Sequence, residues 1–130
     1  MKTVLLCIDT DVKRAREQVA SLTTLPLEAD QVRVVVYHVF RADDKGVSAK
    51  NLKSVQEATE RLEAADFTIE VDQSSGDAVQ NILDKAAEID ADVLSLAGRK
   101  RSPTGKALFG SVTQDVILKS NRPVLLSTTE

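Results

Sequence analysis

What most narrows the fold is an alternation. Short, nearly uncharged apolar runs take turns along the chain with longer stretches whose apolar residues recur every three or four positions. Residues 3–8 (Thr-Val-Leu-Leu-Cys-Ile) carry no charge and stop abruptly at Asp9. A run that is apolar on both parities marks a strand covered on both faces, as in a parallel sheet. Val12, Ala15, Val19 and Leu22 follow at helical spacing, with Lys13, Arg14, Arg16 and Glu17 between them and Thr10 or Asp11 as N-cap. Val32–Phe40, rich in β-branched and aromatic residues, predicts a second central strand. A polar loop over 41–49 leads to a second helical face, Leu52, Val55, Thr59 and Leu62, with Ser48 or Asn51 near its start. Phe67–Val71 alternates apolar and polar residues, which predicts an edge strand with one wet face. Gly76-Asp77 opens a third helix with the stripe Val79, Ile82, Leu83, Ala86 and Ala87. Asp92–Ala97 predicts a fourth buried strand and Gly98–Gly110 a polar, basic loop. Leu108, Val112, Val116 and Leu118 or Lys119 mark a fourth helix ending near Asn121, and Arg122–Leu126 the last strand.

Strict strand–helix alternation predicts a parallel sheet with right-handed crossovers and helices on both faces. Ligands of such sheets sit at the carboxyl ends of the strands, where the strand order reverses. The candidate site segments are therefore Asp9–Asp11, Val39–Arg41, Asp72–Gly76 and Ala97–Gly110. At 130 residues, 42% of them apolar and 28% charged, the chain suits one α/β domain with a core of its own. The lone Cys7 excludes an internal disulfide framework, no apolar run approaches the ~20 residues of a membrane span, and the start lacks a signal-peptide pattern, so the expected location is cytoplasmic.

The net charge of −3 is too mild to imply a partner, but its distribution is informative. Residues 97–111 hold Arg99, Lys100, Arg101 and Lys106 and no acid, in an otherwise acidic chain. A compact basic segment that follows a buried strand and feeds a helix suits a small anionic ligand such as phosphate. With one Tyr, three Phe and no Trp, there is little material for stacking nucleic-acid bases. Gly105-Lys106 does not complete a P-loop: Lys100 stands at the first glycine position and Ala107 follows where a hydroxyl is needed. No Gly-x-Gly-x-x-Gly follows the first strand, which excludes a dinucleotide fingerprint.

The succession of strand, glycine-containing loop and Gly110-Ser111 entering a helix resembles the universal stress proteins, whose signature is Gly, two residues, Gly, nine residues, then Gly-Ser/Thr. The resemblance spans essentially the whole chain. Met1–Asp9 is similar to the family's first strand ending in an acid, and Val34–Val39 to its second. Gly76-Asp77 through Leu94 resembles its third helix and fourth strand, and Gly110–Leu126 its close. The resemblance implies a single three-layer α/β/α domain over residues 1–130, of the adenine nucleotide alpha hydrolase-like fold, with a five-stranded parallel sheet of order 3-2-1-4-5. It implies a homodimer paired through the C-terminal strand and, in some members, bound ATP or AMP, with Mg²⁺ accompanying ATP. Carried over by position, Asp9 faces the ribose end, Val39 contacts adenine, and Leu96 and Ala97 line the cleft. Gly110, Ser111 and the Val112 amide meet phosphate, with Gly98 and Lys100 in the adjoining loop. The two signature glycines fall on Ala97 and Lys100, and Gly98 and Gly105 are offset from both. An alternative reading is therefore a dimeric interaction protein of the same fold that binds no nucleotide.

An enzyme reading is limited to a slow ATP hydrolase in which Asp9 or Asp11 and Mg²⁺ orient water, with no general base in evidence. Acids after the first and third strands (Asp9, Asp11, Asp72) are similar to a receiver-domain cluster, but the lysine and fifth helix such domains need are missing after the last strand. His38 within a strand reads as structural, Cys7 as a small core residue, and Glu57-Glu60-Arg61 as the wet face of a helix.

Overall fold

The computed structural model describes residues 1–44, 46–99 and 110–129. Five strands, β1 (Lys2–Cys7), β2 (Val32–Phe40), β3 (Thr68–Ser75), β4 (Val93–Arg99) and β5 (Val124–Thr129), form one parallel sheet in the order β3-β2-β1-β4-β5. Four helices connect them: α1 (Val12–Thr23), α2 (Lys53–Ala64), α3 (Ala78–Glu88) and α4 (Ser111–Lys119). The expected sheet order is the observed one.

The continuous apolar run of β1 is explained by two cores. Val4, Leu6 and Ile8 join Val34 and Val36 beneath Ala15, Val19 and Leu22 of α1 and Val55, Ala58 and Leu62 of α2. Leu5, on the other parity, joins Val35, Tyr37, Leu94 and Leu96 beneath Ile82 and Ala86 of α3 and Val116 of α4. Each fully buried leucine contributes about 1.5–3 kcal/mol of transfer free energy. Asp11 is the N-cap of α1, accepting from Arg14 N–H at 3.0 Å, and Asp77 caps α3 by accepting from Gln80 N–H at 3.0 Å.

Several limits differ from the sequence reading, each for a physical reason. β3 starts at Thr68 rather than Phe67 and runs on to Ser75, because Asp72–Ser75 pair in register with Tyr37–Phe40. A polar stretch tolerates this at an edge, so Asp72–Ser75 are strand and not the loop after it. β4 likewise continues through Arg99, with Gly98 opposite Thr128, which removes Gly98 from the loop. β5 starts at Val124, not Arg122: Pro123 has no N–H to give and offers only its carbonyl, to Leu94 N–H at 2.9 Å. Ser48 stands before a short 3-10 turn at Ala49–Asn51, and α2 starts at Lys53 behind Leu52, which has no capping side chain. Ala58 rather than Thr59 completes the α2 stripe, and Ala87 of α3 is exposed. In α4 only Val116 is fully buried, the helix ends at Lys119, and Leu118 is 81% exposed. Leu108 lies outside the described residues.

Candidate functional site

β1 is the strand at which the order reverses: the chain leaves it toward β2 on one side and β4 takes its place on the other. A cleft of about 270 Å³ opens beyond its carboxyl end. It is lined by Cys7 at the end of β1, Ile8 and Asp9 after it, Tyr37, His38 and Val39 of β2, Leu96 and Ala97 of β4, Ala78 and Ile82 of α3, and Val112 and Thr113 of α4. Of the residues singled out from sequence, Asp9, Val39, Leu96, Ala97 and Val112 therefore share one cavity. Gly110 and Ser111 stand at the start of the α4 turn that carries Val112 and Thr113. Gly98 is buried in β4 and is not part of the lining. Lys100 lies outside the described residues, as does the rest of the basic loop from 101 to 109.

Gly110 is the N-cap of α4, with φ 81° and ψ 151° and no side-chain cap. That backbone region is essentially restricted to glycine. The first intrahelical bond runs from Gln114 N–H to Gly110 O at 3.1 Å, so the earlier amides of the turn have no partner within the helix. Such amides, aligned with the helix dipole, form a natural seat for an anion. Thr113 Oγ1 donates to Ala97 O at 2.9 Å, tying this turn to the end of β4.

Where β1 ends, the carbonyls of Cys7, Ile8 and Asp9 each take a hydrogen bond from a buried side chain of a different element. Gln18 Nε2 of α1 donates to Cys7 O at 2.9 Å, and Ser54 Oγ of α2 to Asp9 O at 2.6 Å. Between them, His38 Nδ1 of β2 lies 2.6 Å from Ile8 O. A carbonyl only accepts, so Nδ1 carries the hydrogen and donates it. Strand alternation puts the His38 ring on the face of Val36 and Phe40, away from Tyr37 and Val39, and it stands edge-on to Phe40 with centroids 4.5 Å apart. Gln18 and Ser54 are not among the candidates that sequence offers, and His38 reads from sequence as structural. Gln18 and Ser54 left a signal all the same: each falls on the apolar stripe of its helix, where a polar residue needs a partner.

Cys7 faces the cleft side of the sheet, and burial pushes its thiol up to about 12, which keeps it protonated and unreactive at neutral pH. Tyr37 hydroxyl pairs with Ser74 Oγ, and burial raises its pKa against the opposing effect of that bond. Behind it, Lys85 Nζ lies 2.6 Å from Asp72 Oδ2, 2.9 Å from Glu88 Oε2 and 5.7 Å from the Tyr37 ring centre. The Lys85 bond holds the Asp72 carboxyl below its ordinary 3.8, and Asp72 in turn raises Lys85. A depressed carboxylate stabilises the fold above its unfolded pKa, and this contribution is lost as pH falls through the folded value. Asp72 is 47% exposed, so Lys85→Met is expected to cost only about 0.5–1 kcal/mol at neutral pH, the difference from wild type shrinking below pH 3.8. Urea denaturation at pH 7 and at about pH 3 checks both halves of this.

Among the described residues no group of three His, Cys, Asp or Glu side chains could hold a metal ion, and no helix is long and apolar enough to cross a membrane. The chain is 34% identical over 87 residues to a universal stress protein of Mycolicibacterium smegmatis, an alignment covering 65% of this chain and 67% of that one. A universal stress protein solved in complex with cAMP superposes with a TM-score of 0.75 at 23% identity, over 99% of this chain and 98% of the other. A universal stress protein family protein of Arabidopsis thaliana solved with AMP bound gives 0.68 at 14% identity, over 100% and 93%. At these identities the likeness to the two structures is one of fold. The family model described as "Universal stress protein family" matches residues 1–127, and with that match over nearly the whole length the chain belongs to the universal stress protein family.

Proposed function

We propose that this chain is a single-domain cytoplasmic universal stress protein that binds an adenine nucleotide, ATP or AMP, in the cleft beyond β1. Its role in this reading is regulatory, within a stress response, with little or no catalysis. The observation that carries the reading is the meeting of apolar walls with a helix N-terminus in one cavity. Val39, Leu96 and the side chain of Val112 suit a base, while Gly110, Ser111 and the Val112 amide suit phosphate. Asp9 takes the ribose end, and Ala97 and Gly98 carry β4 toward Lys100 and the basic loop. The cAMP and AMP held by two structures of the same fold support the ligand class. Mg²⁺ in this reading enters with ATP, on its phosphates.

The same reading makes the protein a homodimer through its C-terminal strand. β5 is an outer strand of the sheet, and its outer edge, which pairs with no other strand among the described residues, has backbone groups that a second copy can pair. Native mass spectrometry of freshly purified protein is expected to give twice the chain mass, with a nucleotide-sized increment in part of the population. Titration with AMP or ATP is expected to raise thermal stability, by about 2.7 kcal/mol at a hundredfold excess over Kd. Absence of any saturable shift with either nucleotide overturns the binding claim. It would favour the alternative, an interaction protein of the same fold that binds no nucleotide, for which Ala97 on the cleft wall in place of a signature glycine is the specific observation.

A further inference from the structure

β1 and β4 pair only from Val4 opposite Val93 to Leu6 opposite Ser95, while β4 runs on beside β5 to Arg99. The sheet therefore parts between β1 and β4, and the cleft opens there, with Cys7 on one lip and Ala97 on the other. In a parallel ladder, alternate residues of a strand turn their N–H and C=O to opposite neighbours. Leu94 N–H is given to Pro123 O on the β5 side, so Ala97, of the other parity, turns its carbonyl toward β1, whose pairing with β4 has already ended. A carbonyl so placed needs a donor from elsewhere. Thr113 supplies it: Oγ1 donates to Ala97 O at 2.9 Å, and both residues line the cleft.

That bond joins the end of β4 to the first turn of α4, where burial does little to hold the chain. Ser111 and Val112 are exposed, and the first fully buried residue of the helix is Val116, a turn further along. The amides assigned to phosphate thus stand on a turn whose side-chain tie to β4, among the described residues, is one threonine hydroxyl. A mononucleotide touches wall and turn at once, its base beside Leu96 and its phosphate on the amides, so the spacing between them decides how well the two contacts combine. We propose that Thr113 is the positioning residue of the phosphate seat: its bond to Ala97 O holds the first turn of α4 at a fixed reach from the β4 wall. The effect on the ligand rests on the adenine nucleotide reading above; the clamp on α4 does not.

The test compares Thr113→Val, which keeps the shape and removes the hydroxyl, with Thr113→Ser, which keeps the hydroxyl. Calorimetric titration with AMP and with adenosine, which lacks the phosphate, is the ligand readout. In Thr113→Val, AMP affinity is expected to fall about 10-fold and adenosine affinity no more than about 2-fold. In Thr113→Ser, AMP affinity is expected to stay within about 2-fold of wild type, since the donor is retained. Unchanged AMP affinity in Thr113→Val, equal losses for the two ligands, or a serine variant as weak as the valine one overturns the positioning role. If adenosine binds too weakly to titrate, AMP affinity in the valine and serine variants decides alone. In ligand-free protein, the Gln114 amide, bonded to Gly110 O at 3.1 Å, is expected to exchange hydrogen faster in Thr113→Val and not in Thr113→Ser, while the Leu94 amide stays as in wild type. Unchanged exchange at Gln114 overturns the clamp. If wild-type protein binds neither AMP nor adenosine, the nucleotide reading fails, and the Gln114 amide alone decides the proposal. Urea denaturation checks that each variant is folded, and Thr113→Ala takes the place of valine if that variant is not.

Discussion

Replacing Gly110 with alanine is expected to weaken adenine nucleotide binding by at least about 10-fold. Among the described residues space is not the obstacle, since a Cβ at Gly110 would meet none of their atoms within 4 Å. The obstacle is the backbone: φ 81° with ψ 151° is a conformation that side-chain-bearing residues adopt only at a cost of about 1–3 kcal/mol. An alanine there either retains the strain or rotates toward negative φ. Rotation redirects the amides of Ser111 and Val112, the groups assigned to phosphate. Calorimetric titration with AMP reads the affinity, and urea denaturation reads the strain separately. Unchanged affinity would move the anion seat away from α4.

Gln18→Ala is expected to lower global stability by about 3–4 kcal/mol, measured as a drop in the urea midpoint at unchanged slope. Gln18 is 0% exposed, and its Nε2 serves Cys7 O at 2.9 Å and the carbonyl and hydroxyl of Ser95 at 3.4 Å. Truncation leaves a cavity between α1 and the sheet and strands the Cys7 carbonyl without its donor. Gln18→Met fills the volume but not the hydrogen bond, and is expected to cost about 1–3 kcal/mol, the price of an unsatisfied buried carbonyl. The gap between the two variants separates packing from polar satisfaction. Gln18 Oε1 has no partner among the described residues, and methionine also removes that uncompensated group, which favours the lower end of its range.

What sequence could show was set by how local the causes are. β2 begins and ends where its β-branched run does, and Asp11 and Asp77 cap helices by bonds three residues long. Asp72–Ser75 read as loop because their composition is polar, and only the neighbouring β2 makes them strand. Pro123 is the reverse case: Arg122-Pro123 looked continuous with the apolar run after it, but a residue without an N–H cannot start the ladder. At the cleft, Asp9, Val39, Leu96, Ala97 and Val112 could be named because strand ends at a switch point must gather. The bonds from Gln18, His38 and Ser54 span 11, 30 and 45 residues of sequence, beyond the reach of any periodicity.

The three bonded carbonyls at the end of β1 bear on the thermodynamics of recognition. Cys7, Ile8 and Asp9 are immobilised by α1, β2 and α2 together, so the conformational entropy of that wall is surrendered when the chain folds. A ligand arriving there meets a surface already in its final shape, and the disorder forfeited on association is largely the ligand's own.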